Sequence, residues 1–120
     1  MQFSLKTKIT TALYQQSIDF YRQIFGMIVL DEWNDPDDKG MILGFADGKG
    51  EAMLEIYLGD ESYDFAGLSL QFKVEDLSDF VDRLPETIEW TGPKPRPWGA
   101  MYLYLRDPNN ILIIVYEGCL

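Results

Sequence analysis

The same order of short elements occurs twice along this 120-residue chain. Each copy begins with an alternating strand-like segment, continues with one short amphipathic helix, and ends with three strand-like segments separated by turns. The first copy covers about residues 1–58, a linker covers 59–66, and the second covers about 67–117. The two copies are offset by about 60 residues. The repeat therefore predicts a single domain over residues 1–120 with an α+β fold, built from two βαβββ modules.

Apolar spacing and turn residues locate the elements. Ile18, Tyr21 and Phe25 recur at helical spacing in SIDFYRQIFG (17–26), where Ser17 or the preceding glutamines can start a helix and Gly26 can end it. The second helix is predicted over 76–84. The predicted strands are residues 3–11, 27–33, 41–47, 51–58, 68–74, 86–90, 100–106 and 111–117. NDPDDKG (34–40) and GKG (48–50) are predicted turns, and the prolines of 91–99 exclude a central strand there.

Charge and cysteine content limit the partners and the compartment. Ten lysines and arginines oppose twenty aspartates and glutamates, and the net charge of −10 disfavours nucleic acid. The acidity indicates either solubility alone or a cationic partner. No apolar run approaches the ~20 residues of a membrane span, and MQFSLKTKITT lacks the features of a signal peptide. Cys119 is the single cysteine, so the expected location is the reducing cytoplasm.

Two longer motifs carry a family resemblance. SIDFYRQIFGMIV is similar to the first helix and second strand of the vicinal oxygen chelate superfamily, and PWGAMYLYLRDPNNILIIVYE is similar to its Trp-Gly, strand, Asp-Pro turn and last strand. This superfamily includes glyoxalase I, bleomycin-resistance proteins, fosfomycin-resistance enzymes and extradiol dioxygenases. The resemblance implies barrel-like curved sheets with helices outside, and paired modules that enclose a cavity, often in a homodimer.

Strand alternation sorts the side chains between two faces of each sheet. Leu54 and Ile56 are expected under a helix, as are Leu103, Ile113 and Val115. The opposite, concave faces are expected to carry Lys6, Lys8, Thr10, Glu51, Met53, Glu55, Tyr57, Ser69, Gln71, Lys73, Tyr102, Tyr104, Leu112, Ile114 and Tyr116.

The resemblance also implies where a metal would bind. The ligand positions of the metal-dependent members fall on Lys6, Glu55, Ser69 and Ile114, and only Glu55 can ligate. The chain has no histidine, so the usual imidazole ligands are missing. We therefore expect no metal, no cofactor and no strong catalytic group. Glu55 is a weak candidate for a general base near Lys6 or Lys73, and the alternative is a carboxylate that is paired with one of those lysines or exposed to water.

Aromatic residues supply the remaining candidates for a binding site. The predicted ligand-binding residues are Trp33, Glu55, Tyr57, Trp98, Tyr102, Tyr104 and Tyr116. Trp33 ends a predicted strand beside the NDPDDKG turn, which is expected to be mobile, so that Trp33 can close over a guest. The alternative for the aromatic residues is core or dimer-interface packing.

Three hypotheses about function follow from these features. The first is metal-independent binding of a small aromatic or cationic molecule, with drug sequestration as the role. It corresponds to the metal-free bleomycin-resistance-like branch of the superfamily and to a homodimer. The second is a lyase, isomerase or dioxygenase of the same superfamily with a divergent active site. The third is a structural or protein-interaction module whose cavity is filled by its own side chains.

Overall fold

Each half of the chain forms one helix against one four-stranded sheet in the computed structural model, which describes residues 1–46 and 52–119. The chain divides into two compact units, Met1–Asp64 and Phe65–Leu120, called unit 1 and unit 2 below. Both sheets are mixed, curved and open, and the expected α+β fold with two β-α-β-β-β copies is confirmed. Neither described helix is long and apolar enough to cross a membrane.

Unit 1 contains β1 (Leu5–Thr11), α1 (Tyr14–Phe25), β2 (Ile28–Asp35), β3 (Asp38–Gly44) and β4 (Ala52–Leu58). The strand order is β1-β4-β3-β2, with β1 parallel to β4 and the other neighbours antiparallel. α1 contacts β4. The buried core includes Ile9, Ile18, Tyr21, Leu43 and Ile56.

The start of α1 differs from the prediction, whereas its end agrees with it. The helix begins at Tyr14, and Ser17 lies inside it, where its Oγ donates a 2.6 Å hydrogen bond to the Leu13 carbonyl. Ser17 is therefore not a helix start, because its hydroxyl bonds back along the helix instead of capping free N–H groups. At the other end Gly26 adopts φ 65°, and its N–H donates to the Arg22 carbonyl at 3.1 Å.

The predicted turn over 34–40 is mostly strand. The β2–β3 ladder continues to the pair Asp35 and Asp38, so that Pro36 and Asp37 alone connect the strands. Cross-strand pairing therefore outweighs the turn preference of the Asp-rich run. The predicted GKG turn, the predicted strand position Asp47 and the predicted concave residue Glu51 lie outside the described residues.

Unit 2 contains β5 (Ser69–Lys73), α2 (Leu77–Asp82), β6 (Trp90–Pro95), β7 (Met101–Arg106) and β8 (Leu112–Glu117), in the order β5-β8-β7-β6. β5 and β8 are parallel. Leu77, Leu103, Ile113 and Val115 form the buried core. β6 was expected over 86–90, but it begins at Trp90 and continues through the proline-containing segment to Pro95. That segment can be a strand because it lies at the sheet edge, where missing N–H donors are tolerated.

Candidate functional site

The unit 1 sheet carries a buried carboxylate on the face opposite its core. Glu55 in β4 is 7% exposed, and the register places Lys8 of β1 beside it. Lys6 Nζ lies 3.2 Å from Glu55 Oε1, and Lys8 Nζ lies 3.8 Å from Oε2. Of the two readings of Glu55, a general base or an ion-paired carboxylate, this geometry favours the ion pair.

These residues do not fit a divalent metal. A cation near Glu55 would meet the positive charges of Lys6 and Lys8 at the same oxygens. In unit 2, Ile114 offers no lone pair, and the register sets Gln71 beside it, while Ser69 pairs with Leu112. Among the described residues, no three histidine, cysteine, aspartate or glutamate side chains converge on one point. The donor set therefore disagrees with the metal chemistry of the superfamily's metal-dependent members.

Trp33 and Tyr57 are held by Asp38 near the same face. Trp33 Nε1 donates to Asp38 Oδ1 at 2.9 Å. The indole N–H, and then the Tyr57 hydroxyl, stabilise the carboxylate and lower the pKa of Asp38. The hydrogen bond between the Tyr57 hydroxyl and Asp38, together with burial, raises the pKa of Tyr57. Lys8 Nζ completes the group, 4.1 Å from the centre of the Tyr57 ring.

Trp33 was expected beside a loose loop, but the structure places it elsewhere. It lies within β2 opposite Gly40 of β3, and its indole covers the Gly40 backbone. The absence of a side chain at Gly40 provides the space for the ring. Trp33 is thus fixed by both a hydrogen bond and a cross-strand contact, and it is not positioned as a lid.

An acidic groove of about 680 Å³ lies at the β2–β3 hairpin. It is lined by Tyr57 at the end of β4 and by Asp35, Asp37, Asp38 and Asp60. The aspartates are exposed, so water screens their charges.

Unit 2 places four predicted ligand-binding aromatics on one face. Tyr102 and Tyr116 are register partners with ring centres 5.6 Å apart. Trp98 lies 5.6 Å from Tyr102, and Tyr104 lies 6.1 Å from Tyr102. We call Trp98, Tyr102, Tyr104 and Tyr116 the aromatic cluster. Its spacings are those of favourable edge-to-face and tilted ring pairs.

The aromatic cluster lies on the sheet face opposite the core. Leu103 and Val115 alternate with its tyrosines and are fully buried. The tyrosines are half-buried, while Trp98 is 48% exposed. The structure thus brings together the unit 2 candidates in one surface, and Glu55, Tyr57 and Trp33 in another.

Two cations beside the aromatic cluster were missed by the sequence analysis. The guanidinium carbon of Arg96 lies 4.9 Å from the Trp98 ring centre and 5.7 Å from that of Tyr102. Lys94 Nζ lies 5.9 Å from the Tyr104 ring centre. A signal was present, since Lys94, Arg96 and Trp98 alternate with prolines at the period of a strand. The prolines exclude a central strand, but they leave room for an edge strand that carries these cations.

An open groove of about 1120 Å³ adjoins the aromatic cluster. Tyr104 belongs to both. The groove is lined by Thr87, Ile88, Glu89, Trp90, Thr91, Lys94, Tyr104, Leu105, Arg106 and Leu112. Its size is sufficient for a drug-sized molecule, and it offers apolar surface together with a few polar groups.

Comparison with known proteins places the chain in a family. The sequence model of the Glyoxalase/Bleomycin resistance protein/Dioxygenase superfamily matches residues 5–115. The Bacillus subtilis (strain 168) protein YraH, whose activity is uncharacterized, is 27% identical over 126 residues, covering 94% of this chain and 96% of that protein.

Two solved structures have a similar fold. TnmS3, an antibiotic binding protein from Streptomyces sp. CB03234, has a TM-score of 0.80 at 16% identity over 99% of this chain and 98% of its own. The genomically encoded fosfomycin resistance protein FosX from Listeria monocytogenes has a TM-score of 0.80 at 16% identity over 100% of this chain and 96% of its own. Because the family match covers most of the chain, this protein belongs to the Glyoxalase/Bleomycin resistance protein/Dioxygenase superfamily.

Proposed function

We propose that this protein binds a small planar aromatic molecule, reversibly and without a metal ion, on the aromatic cluster of unit 2. The observation that carries this proposal is the grouping of Trp98 with three tyrosines beside an open groove of about 1120 Å³. Aromatic side chains provide large contact areas, and tyrosine hydroxyls can orient a guest by hydrogen bonding.

The exposure of the aromatic cluster supports binding over simple core packing. The core of unit 2 is on the opposite face, where Leu103, Ile113 and Val115 are fully buried. Trp98 remains 48% exposed and has no role in that core. A large exposed aromatic beside other rings is typical of an interaction site.

Metal independence is supported by the surroundings of Glu55. Both of its oxygens face lysine ammonium groups, so the carboxylate is already neutralised. The same contacts weigh against the alternative function, a lyase, isomerase or dioxygenase that uses Glu55 as its base or ligand.

Drug sequestration in the cytoplasm is the biological setting that we propose. Two proteins of similar fold are an antibiotic binding protein and a fosfomycin resistance protein, and at 16% identity their likeness to this chain is one of fold. The single exposed cysteine, Cys119, suits a reducing compartment.

We also propose a homodimer. β1 is an edge strand of the unit 1 sheet, and Leu5 at its start and Phe3 just before it are 72% and 88% exposed. A second copy could cover such an edge and its apolar side chains. Light scattering should give twice the 13.9 kDa chain mass, and a monomer throughout the micromolar range would contradict this part of the proposal.

The binding proposal is tested by calorimetric titration and thermal shift with a panel of planar aromatic compounds, with and without EDTA. Trp98→Ala should weaken binding by roughly 1–3 kcal/mol, the range for a truncated aromatic anchor, and EDTA should have no effect. Tyr63→Ala, which removes an aromatic side chain that is 47% exposed in unit 1, is the control and should bind normally. A panel that leaves the protein unchanged would refute binding, and loss of binding in EDTA would refute metal independence.

A further inference from the structure

We propose that the ligand of the aromatic cluster is an anion, and that Arg96 and Lys94 select it. This inference rests on the proposed function, since it assigns the charge of the same guest. The guest is a planar aromatic molecule with a carboxylate, sulfonate or phosphate group. Its ring contacts the aromatic cluster while its anionic group meets the two cations.

The first argument is the sign of the charges on this face. Lys73, Lys94 and Arg106 lie in register with the aromatic cluster or its strand neighbours, and Arg96 stacks on it. Within the four described strands of unit 2, the single acidic residue is Glu117, and its Oε1 accepts from the Leu77 N–H at the start of α2. The face is therefore basic in a chain with a net charge of −10.

The neighbouring groove has the same excess of positive charge. Glu89 contributes one carboxylate to its lining, whereas Lys94 and Arg106 contribute two cations. Such a concentration of one sign in a concave surface attracts the opposite charge more strongly than an isolated residue does.

The second argument is an unsatisfied donor on Arg96. Its Nε atom is buried and has no hydrogen-bond partner in the part of the chain that the structure describes. The guanidinium contacts Trp98 and Tyr102 within stacking distance, and such contacts do not use its N–H groups. Because a buried donor without an acceptor is unfavourable, a carboxylate or phosphate oxygen from a ligand would satisfy it.

A cationic guest is disfavoured at the same place. Rings that stabilise cations are already in contact with Arg96 and Lys94, and a third positive charge would be repelled by both. For this face, the charges support the aromatic part of the sequence-based hypothesis and not its cationic part.

The test compares three ligands with the same ring system: 2-naphthoate, the neutral 2-naphthamide, and 2-naphthylmethylammonium, each titrated calorimetrically into the full-length protein. 2-Naphthoate should bind roughly 10- to 100-fold more tightly than 2-naphthamide, as expected for a charge-assisted hydrogen bond, and the ammonium compound should bind most weakly. Arg96→Gln should bring the ratio of the 2-naphthoate and 2-naphthamide affinities close to one, and a ratio that stays above about tenfold would contradict the role of Arg96. Arg22→Gln, which changes the net charge equally on α1 of unit 1, should retain the preference.

The possible failures are distinguishable. If 2-naphthamide or the ammonium compound binds at least as tightly as 2-naphthoate, the anion inference is wrong while the proposed function stands. If none of the three binds, the proposed function itself fails at these probes and the inference fails with it. If Arg96→Gln does not fold, as judged by circular dichroism, the decision passes to Lys94→Gln and to salt. In that case, both Lys94→Gln and rising salt must lower the affinity for 2-naphthoate without lowering the affinity for 2-naphthamide. If the two ligands lose affinity equally, the inference is overturned.

Discussion

Replacing Gly40 with alanine should destabilise the protein when Trp33 is present and stabilise it when Trp33 is absent. The Trp33 Cζ2 atom lies 2.3 Å from the position that a Cβ at residue 40 would take, whereas ordinary contacts begin near 3.4 Å. The indole must therefore retreat by about 1.1 Å. That movement stretches its 2.9 Å hydrogen bond to Asp38 beyond the usual range.

Two opposing effects set the magnitude. Overpacking of a fitted contact costs roughly 1–3 kcal/mol, while removing glycine from a strand interior contributes about 0.5–1 kcal/mol in the other direction. The free energy of unfolding should fall by about 1–2 kcal/mol for Gly40→Ala in the natural chain. It should rise by about 0.5–1 kcal/mol when the same change is made in Trp33→Ala.

Urea denaturation followed by far-ultraviolet circular dichroism measures all four proteins of this double-mutant cycle without depending on tryptophan emission. The expected coupling between the two positions is about 1.5–3 kcal/mol. A change of the same sign and size in both backgrounds would refute the reasoning, because it would show that the indole does not occupy the space above Gly40.

Three further outcomes are expected. Gly26→Ala should lower the free energy of unfolding by about 1 kcal/mol in urea titrations, because φ 65° is strained for alanine, whereas Gly67→Ala, with no left-handed φ and no close neighbour, should be neutral or stabilising. The hydrogen bond from Trp33 lowers the pKa of Asp38 in the folded protein. The ionised Asp38 carboxylate therefore stabilises the fold fully above the ordinary pKa of 3.8, and this stabilisation is lost as the pH falls through the lowered pKa of the folded state. The difference in Tm between the natural chain and Asp38→Asn should therefore be larger at pH 7 than at pH 3, and an equal difference would contradict this account. Asp107 is buried and accepts two backbone N–H groups, so Asp107→Ala should cost about 2–4 kcal/mol and Asp107→Asn clearly less, measured by chemical denaturation; equal losses would exclude a role for its acceptor oxygen.

Local periodicity was sufficient for the element order and for the division of faces. Ile113 and Val115 alternate with Ile114 and Tyr116, so the side of β8 that enters the core could be read from the residues alone. The end of α1 was equally local, because Gly26 takes a left-handed conformation that other residues avoid.

The tertiary structure decided the features that depend on residues far apart in sequence. The hairpin at Pro36 and Asp37 became tight because β2 and β3 pair along their length, which no local turn preference could reveal. Glu55 meets Lys6 and Lys8 only because β1 and β4 are neighbours in the sheet.

The charge of the aromatic face is the clearest case of the same division. The sequence singled out Trp98, Tyr102 and Tyr116 by their residue type and alternation. It did not indicate that Arg96 would stack on two of those rings, since that contact requires the chain to return from β6 into β7 with a particular register. Residue types and their spacing thus determined which side chains share a strand face. Strand order and register, which are set by long-range backbone pairing and burial, determined which charges meet them there.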